Sequence, residues 1–291
     1  MISILGIIIV LGAIAGGYFM EHGKFAVLVQ PAELVIIFGA AVGTVVVANP
    51  VPTLIKIGKG LAGVFSGNRF TKAYYLESLK MLYELFSLSR KAGTAKLEEE
   101  VDNPGKGQVF TKYPKFTRDH HALHFLCDTL RMAVAGGTDP GDIDTMMEVD
   151  LETHHKESHE PIAALTTMAD SLPGLGIVAA VLGVVLTMGA LGGPKEQIGE
   201  KVAAALVGTF LGILLCYGIF GPLSSAMNKN TEAEGHYMAM LRMASWGFIK
   251  EMSPILAVEL ARRSIPSGVR PTFQEMEGVC RGGGSAASKA A

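Results

Sequence analysis

Charge is scarce in this sequence, and cysteine and tryptophan are scarcer still. Asp, Glu, Lys and Arg make up only 18% of its 291 residues, and the formal net charge is −2. That balance excludes the electrostatic footprint of a nucleic-acid binder. There are three cysteines, Cys127, Cys216 and Cys280. They are widely spaced, odd in number and free of any CxxC or Cys/His ligand spacing, which argues against a disulfide framework or a zinc site. Reduced thiols fit a cytoplasmic or intramembrane setting. No internal repeat occurs, and the middle of the chain has no alternating strand pattern. No basic residue precedes the first apolar run, "MISILGIIIVLGAIAGGYF". A cleaved signal peptide would normally have one, so the expectation is a retained first helix.

What is present is apolar bulk. Hydrophobic residues make up 49% and mean hydropathy is +0.36, the profile of a membrane protein with a soluble portion. Crossing the hydrocarbon core takes about 20 mostly apolar residues. Four segments qualify: 2–20, 32–51, 171–191 and 201–223. Lys56, Lys59, Arg69 and Lys72 follow the second span, whereas the other two links carry only Lys24 and Lys195. The excess of Lys and Arg places the middle segment and both termini inside. In that segment Tyr75, Leu79, Leu82 and Phe86 recur at helical spacing, as do Leu123, Leu126, Leu130 and Val134. Breaks fall at 103–107 and 136–142, the second leading into a long helix that enters the third span through Pro161. The tail reads helical to about Arg263, and its end, "GGGSAASKAA", reads as disordered.

The expected fold is therefore all-α and polytopic, with four transmembrane helices, a large helical cytoplasmic loop and a helical C-terminal tail. Its expected divisions are a hairpin of spans 1 and 2 (1–52), a cytoplasmic helical domain (53–170), a hairpin of spans 3 and 4 (171–223) and a cytoplasmic tail (224–291). The cytoplasmic body is larger than a channel needs, which points to contact with another protein.

Small residues recur four apart in the spans: Gly12 and Gly16, Gly39 and Gly43, Gly208 and Gly212. That spacing lets helix backbones approach closely in lipid. Packing within one chain is the plain reading of any single pair, but small residues on several faces point to further helix partners. Ionisable residues inside a membrane mark ion routes because they are costly to keep there. None is read near the middle of a span; Glu33 and Asp170 are read at span ends, outside and inside respectively. The deep polar groups are Thr44, Thr187, Thr209 and Tyr217. A hydroxyl can line a wet path but cannot hold a proton at neutral pH as a carboxylate can. The chain alone is a poor proton carrier, so a titrating acid is expected from a partner. Pro173 would be tolerated in a first helical turn. Inside one continuous helix it would free a carbonyl and introduce a kink. With Gly174 and Gly176 beside it, a hinge stands next to a plain helix start. Pro222 has a similar place where the fourth span meets the cytoplasm.

The run "HHKESHEPIAALTTMADSLPGLGIVAAVLGVVLTMG", then "KVAAALVGTFLGILLCYGIFGPL", then "RPTFQEME" in the tail, resembles the MotA family of flagellar motor stator A subunits, over essentially the whole chain. The resemblance implies a non-enzymatic stator subunit of the bacterial inner membrane, without a cofactor. It implies five copies of the chain around two copies of a MotB subunit, whose single span supplies a proton-binding aspartate. The third and fourth spans would then line the ion path. Pro173 matches the family's hinge proline, Thr209 its pore-facing hydroxyl and Pro222 its second proline; Thr187 and Tyr217 join that path as deep polar groups. Sodium-driven relatives of the PomA type carry a threonine seven residues after the hinge proline. Here that position is Ala180, which removes an oxygen ligand a dehydrated sodium ion would want, so the implied ion is H+. Arg90 and Glu98 stand where the family has charges that meet the rotor protein FliG, and Asp150 where relatives often have another acid. Thr94 is expected to cap the second of two short helices joined at "AGT". His120 with His124, and His155 with His159, could share a metal at i, i+4 spacing, but no third ligand falls at a persuasive spacing. Rival readings are an ExbB- or TolQ-like energy transducer, a sodium-driven stator and a non-conducting scaffold.

Overall fold

The structure, a computed structural model, describes residues 2–189 and 195–282. Among these, every regular element is helical. The chain folds into two units. One takes the chain up to Gly67 and then Glu157–Thr231; the other takes Asn68–Lys156 and the chain from Glu232 onward.

The first unit opens with α1 (Ile2–Met20), a four-residue α2 (Phe25–Leu28) and α3 (Pro31–Ala48). Pro31 suits the first turn of α3 because its missing N–H would have had no helical partner there. The second span ends at Ala48, three residues short of the expected Val51. Pro50 is extended, and the chain restarts as α4 (Val51–Ser66), whose Ile57, Leu61 and Val64 face the core. The long helix α9 (Pro140–Met188) brings its later part into this unit. The loop 190–194 lies outside the described residues; Lys195, read as part of that link, already belongs to the backbone of α10 (Lys195–Leu214). The helix of the fourth span continues past Leu223, in line with the expected helical tail. It runs through a π turn, Leu215–Phe220, into α11 (Gly221–Ile249). Among the described residues, four helical segments are long and apolar enough to cross a membrane: Ile2–Met20, Phe25–Ala48, and stretches within Pro140–Met188 and Ile198–Ile249. Ile37, Ala41, Ile162, Leu165, Leu172, Ala179 and Cys216 form the buried centre of this unit.

The second unit is a helical bundle. It contains α5 (Lys72–Ala92), α6 (Thr94–Asp102), α7 (Pro114–Thr117), α8 (His120–Ala135), the start of α9, the end of α11, α12 (Pro254–Ser264) and α13 (Phe273–Cys280). The expected stripe on α5 is fully inside: Tyr75, Leu79, Leu82 and Phe86 are all buried. On α8, Leu126 and Leu130 are buried, with Leu123 and Val134 packed against the core. Tyr237 shares a 2.8 Å hydroxyl hydrogen bond with Ser78 beneath Phe70 and Tyr74. Glu100 is buried because its carboxylate accepts the amides of Gln108 and Val109, closing the loop after α6. Sequence reading ended the helical tail near Arg263 and missed α13. Its signal was local: Thr272 and Glu275 form a capping box, T-x-x-E. The terminal residues 283–291, read as disordered, lie outside the described residues.

Candidate functional site

The third and fourth spans meet along glycine. A methyl group placed at Gly176 would stand 2.9 Å from the Gly208 carbonyl and 3.1 Å from Gly212 Cα. One at Gly212 would stand 2.6 Å from the Leu172 carbonyl, and one at Gly183 2.8 Å from Ala205 Cβ. Backbone lies on backbone here, as the 208/212 spacing suggested. The other two pairs behave differently: Gly12, Gly16, Gly39 and Gly43 face open space within this chain.

This contact gathers several of the residues singled out above. Pro173 lies inside α9, not at its start. It cannot donate to the Ala169 carbonyl, so one rung of the helix ladder is missing where α9 touches Gly212. Ala180 and Thr209, both half-buried, flank the same contact: Gly208 faces the Ala180 amide, and Gly176 faces Thr209 Cα. Thr187 is two turns further along α9, buried, and its hydroxyl donates to the Gly183 carbonyl at 2.8 Å. Tyr217 is 73% exposed on the π turn, pointing away from the rest of its chain. Pro222 is exposed just after that turn. An interior proline at 222 would clash with the Gly218 carbonyl in a regular α-helix. The extra residue of the π turn, where the Gly221 amide donates to the Cys216 carbonyl, relieves that conflict.

Glu33 stands where a span end was expected, in the first turn of α3, but its burial was not expected: it is 7% exposed and lies against Gly208. A methyl group at Gly208 would stand 2.7 Å from Glu33 Oε2 and 3.3 Å from Ala179 Cβ. Glu33 stands in the first turn of α3, so its burial comes from the helices packed against it rather than from a place in mid-helix. An ionisable group thus borders the Ala180–Thr209 contact, which the span-by-span reading had left uncharged.

The charges implied in rotor contact lie in the second unit. Arg90 ends α5 and Glu98 sits on α6; both are exposed and have no ion-pair partner among the described residues. Neighbouring Glu99 instead bonds Lys96 at 2.7 Å. Thr94 does not cap α6. The cap position is Gly93, at φ +88°, a left-handed conformation that favours glycine. The junction is therefore a single residue between a long helix and a short one. Asp150 is exposed on α9.

The histidines pair in a way the i, i+4 count did not show. His121 and His154, from α8 and α9, stack with centroids 3.5 Å apart, and His154 Nε2 lies 3.7 Å from Glu234. Burial, then the neighbouring His154, push the His121 imidazole below its ordinary value. The hydrogen bond from His154 holds Glu234 below the usual carboxylate range against the opposing effect of its burial. The His120 and His124 rings are 6.5 Å apart, and no group of three His, Cys, Asp or Glu among the described residues could hold a metal.

Comparison with known proteins shows the family and the fold. Residues 4–93 match the family described as Motility protein A N-terminal, and residues 118–240 match the MotA/TolQ/ExbB proton channel family. Motility protein A of Escherichia coli (strain K12) is 38% identical over 277 residues, 95% of this chain and 94% of that one. The chemotaxis protein LafT of Vibrio parahaemolyticus is 33% identical over 94% of this chain and 96% of its own length. The solved structure of C. jejuni MotAB shares the fold, with a TM-score of 0.74 at 19% identity, covering 91% of this chain and 95% of that one.

Proposed function

The chain belongs to the motility protein A family, within the MotA/TolQ/ExbB proton channel family, and from that premise we propose that it is the flagellar stator subunit through which inward proton flow becomes torque. It works with a MotB-type partner, which supplies the ion-binding aspartate, and with further copies of itself, five around two partners. It sits in the inner membrane with both termini in the cytoplasm. Protons cross between the partner's aspartate and the face carrying Pro173, Ala180 and Thr209. Protonation removes the aspartate's charge and changes which surroundings it prefers, so the ring of copies steps around the anchored partner. The missing rung at Pro173 and the π turn before Pro222 give the two spans places to bend. Arg90 and Glu98, with Asp150, meet FliG on the rotor.

The observation that carries this reading is similarity along nearly the whole chain to motility protein A. The faces left open support it. In the third span Ile177, Val178, Val181, Val185 and Leu186 are exposed, and no residue of α1 is fully buried. Lipid or additional helices must cover such surfaces. An ExbB- or TolQ-like transducer is disfavoured by the match over 4–93 and by the first two apolar helices. Ala180 supports protons over sodium because a methyl group offers no ligand oxygen.

The test is deletion of the gene, with motility scored and flagella counted. Filaments that are present but paralysed, and restored by the wild-type chain, are expected; normal swimming or absent filaments would refute the reading. Swimming speed that depends steeply on external sodium at fixed pH would refute the proton assignment alone.

A further inference from the structure

Glu33 has no part in the function as stated so far, yet its surroundings are not those of a structural residue. Its Oε2 is buried and has no hydrogen-bond partner. A glutamate in the third position of a helix ordinarily reaches back to the cap amide; no such bond is made at Gln30. The facing stretches, 172–183 of α9 and 202–215 of α10, carry no titratable side chain. Asp170, Glu200, Lys201 and Cys216 are the nearest on those helices, and Tyr18, Glu21, His22 and Lys24 are on the approach from α1 to α2. No cation pairs with Glu33 among the described residues.

Its depth follows from its neighbours. At 1.5 Å per residue, Ala180 is roughly 12 Å from the end of α9 at Met188, and Gly208 roughly 9 Å from Val202, where α10 turns apolar after Glu200 and Lys201. Glu33, which lies against both helices there and is roughly 22 Å along α3 from Ala48, is thus about a third of the way into a core about 30 Å thick. The chain breaks between α2 and α3 just before it. Irregular backbone at membrane depth is tolerated where it lines protein or water. A cavity of about 570 Å³ opens between α1, α2 and α10, with Tyr18, Glu21, Val27 and Val207 in its wall; Val207 adjoins Gly208, and Glu33 itself does not line the cavity. Gly208 is what lets the carboxylate lie against the α10 backbone.

We propose that Glu33 is a proton-exchanging group of the ion route, a second acid contributed by this chain; the proposal rests on the proton-driven reading above. A hydronium ion reaching it gives up its proton: an O–H bond forms at Oε2 and water is left behind. The proton then passes to the partner's carboxylate, and Glu33 returns to its ionised form. A buried acid kept only for packing would be replaceable by a neutral isostere of the same shape; a proton-exchanging one would not.

The experiment expresses the whole chain with a MotB-type partner whose plug is removed and measures proton leak across a pH series. Glu33→Gln should lower the flux by at least about tenfold with the same amount of partner co-purified, whereas Glu33→Asp keeps a measurable flux with an altered pH profile. Wild-type flux and pH profile in an assembled Glu33→Gln complex would overturn the proposal while leaving the stator reading intact. No flux in the wild-type complex would overturn the stator reading itself. Treatment of the wild-type complex with dicyclohexylcarbodiimide, which attacks protonated carboxyls in apolar surroundings, needs no variant. An adduct mapped to Glu33 by mass spectrometry, declining as pH rises, is expected; its absence at every pH would overturn the proposal.

Discussion

Substituting alanine for three glycines of the third and fourth spans should give opposite outcomes. Gly174 has open space around it, so Gly174→Ala adds a methyl group that meets nothing. It should be neutral or stabilising by up to about 1 kcal/mol, the usual helix preference of alanine over glycine. Gly176, two residues on, would place its methyl group 2.9 Å from the Gly208 carbonyl. Gly212 would place one 2.6 Å from the Leu172 carbonyl and 3.0 Å from Gly176 Cα. Neither obstacle is a flexible side chain, so the helices must separate by roughly 0.5–0.8 Å to restore an ordinary contact distance. Overpacking of this kind costs about 1–3 kcal/mol, part of which the helix preference offsets. The net loss is about 0–2 kcal/mol for Gly176→Ala and toward the upper end for Gly212→Ala. The assay is the fraction of purified chain that stays monodisperse after heating in detergent. The order should be Gly174→Ala at or above wild type, then Gly176→Ala, then Gly212→Ala. A Gly212→Ala variant as heat-resistant as Gly174→Ala would refute the close-contact argument.

Three further outcomes are expected. Charge reversal at Arg90 or Glu98 should impair swimming while proton leak through the unplugged complex is unchanged, because both side chains are exposed and unpaired; normal torque in both reversals would count against rotor contact. The second unit should lose stability in mild acid. His121 is held below its ordinary value of about 6.5, so the unfolded chain takes up that proton first, and stability falls as pH drops below that value. Glu234, held below the usual carboxylate range, adds a loss in the same direction at lower pH. Melting at pH 7.5 and 5.5 should show the fall, and His121→Asn should flatten it. Burial pushes the Cys127 and Cys280 thiols up to about 12. Both should therefore resist iodoacetamide at pH 8 in the native protein and react once it is unfolded.

The four spans were legible because transfer into lipid is local and nearly additive: about 20 apolar residues in a row specify a span whatever surrounds them. The core face of α5 followed from its 3.6-residue period, whereas the sequence left Pro173 between a helix start and a helix interior, and the structure places it inside α9. The limits of such reading are equally physical. Thr94 looks like a cap by residue type, but the left-handed turn at Gly93 takes that place. Three glycine pairs share one spacing, yet only Gly208 and Gly212 press against another helix of this chain. The paired histidines proved to be His121 and His154, 33 positions apart and brought together by two helices.

Thus the chain's class, its helical segments, its scarcity of intramembrane charge and its family resemblance were determined by sequence alone, since each depends on composition and short-range period. Tertiary structure decided which faces meet. It set Glu33, in the first turn of α3, against Gly208. Burial belongs to the assembled helices: α9 and α10 packed beside it make that residue a buried acid, which counting along one span cannot show.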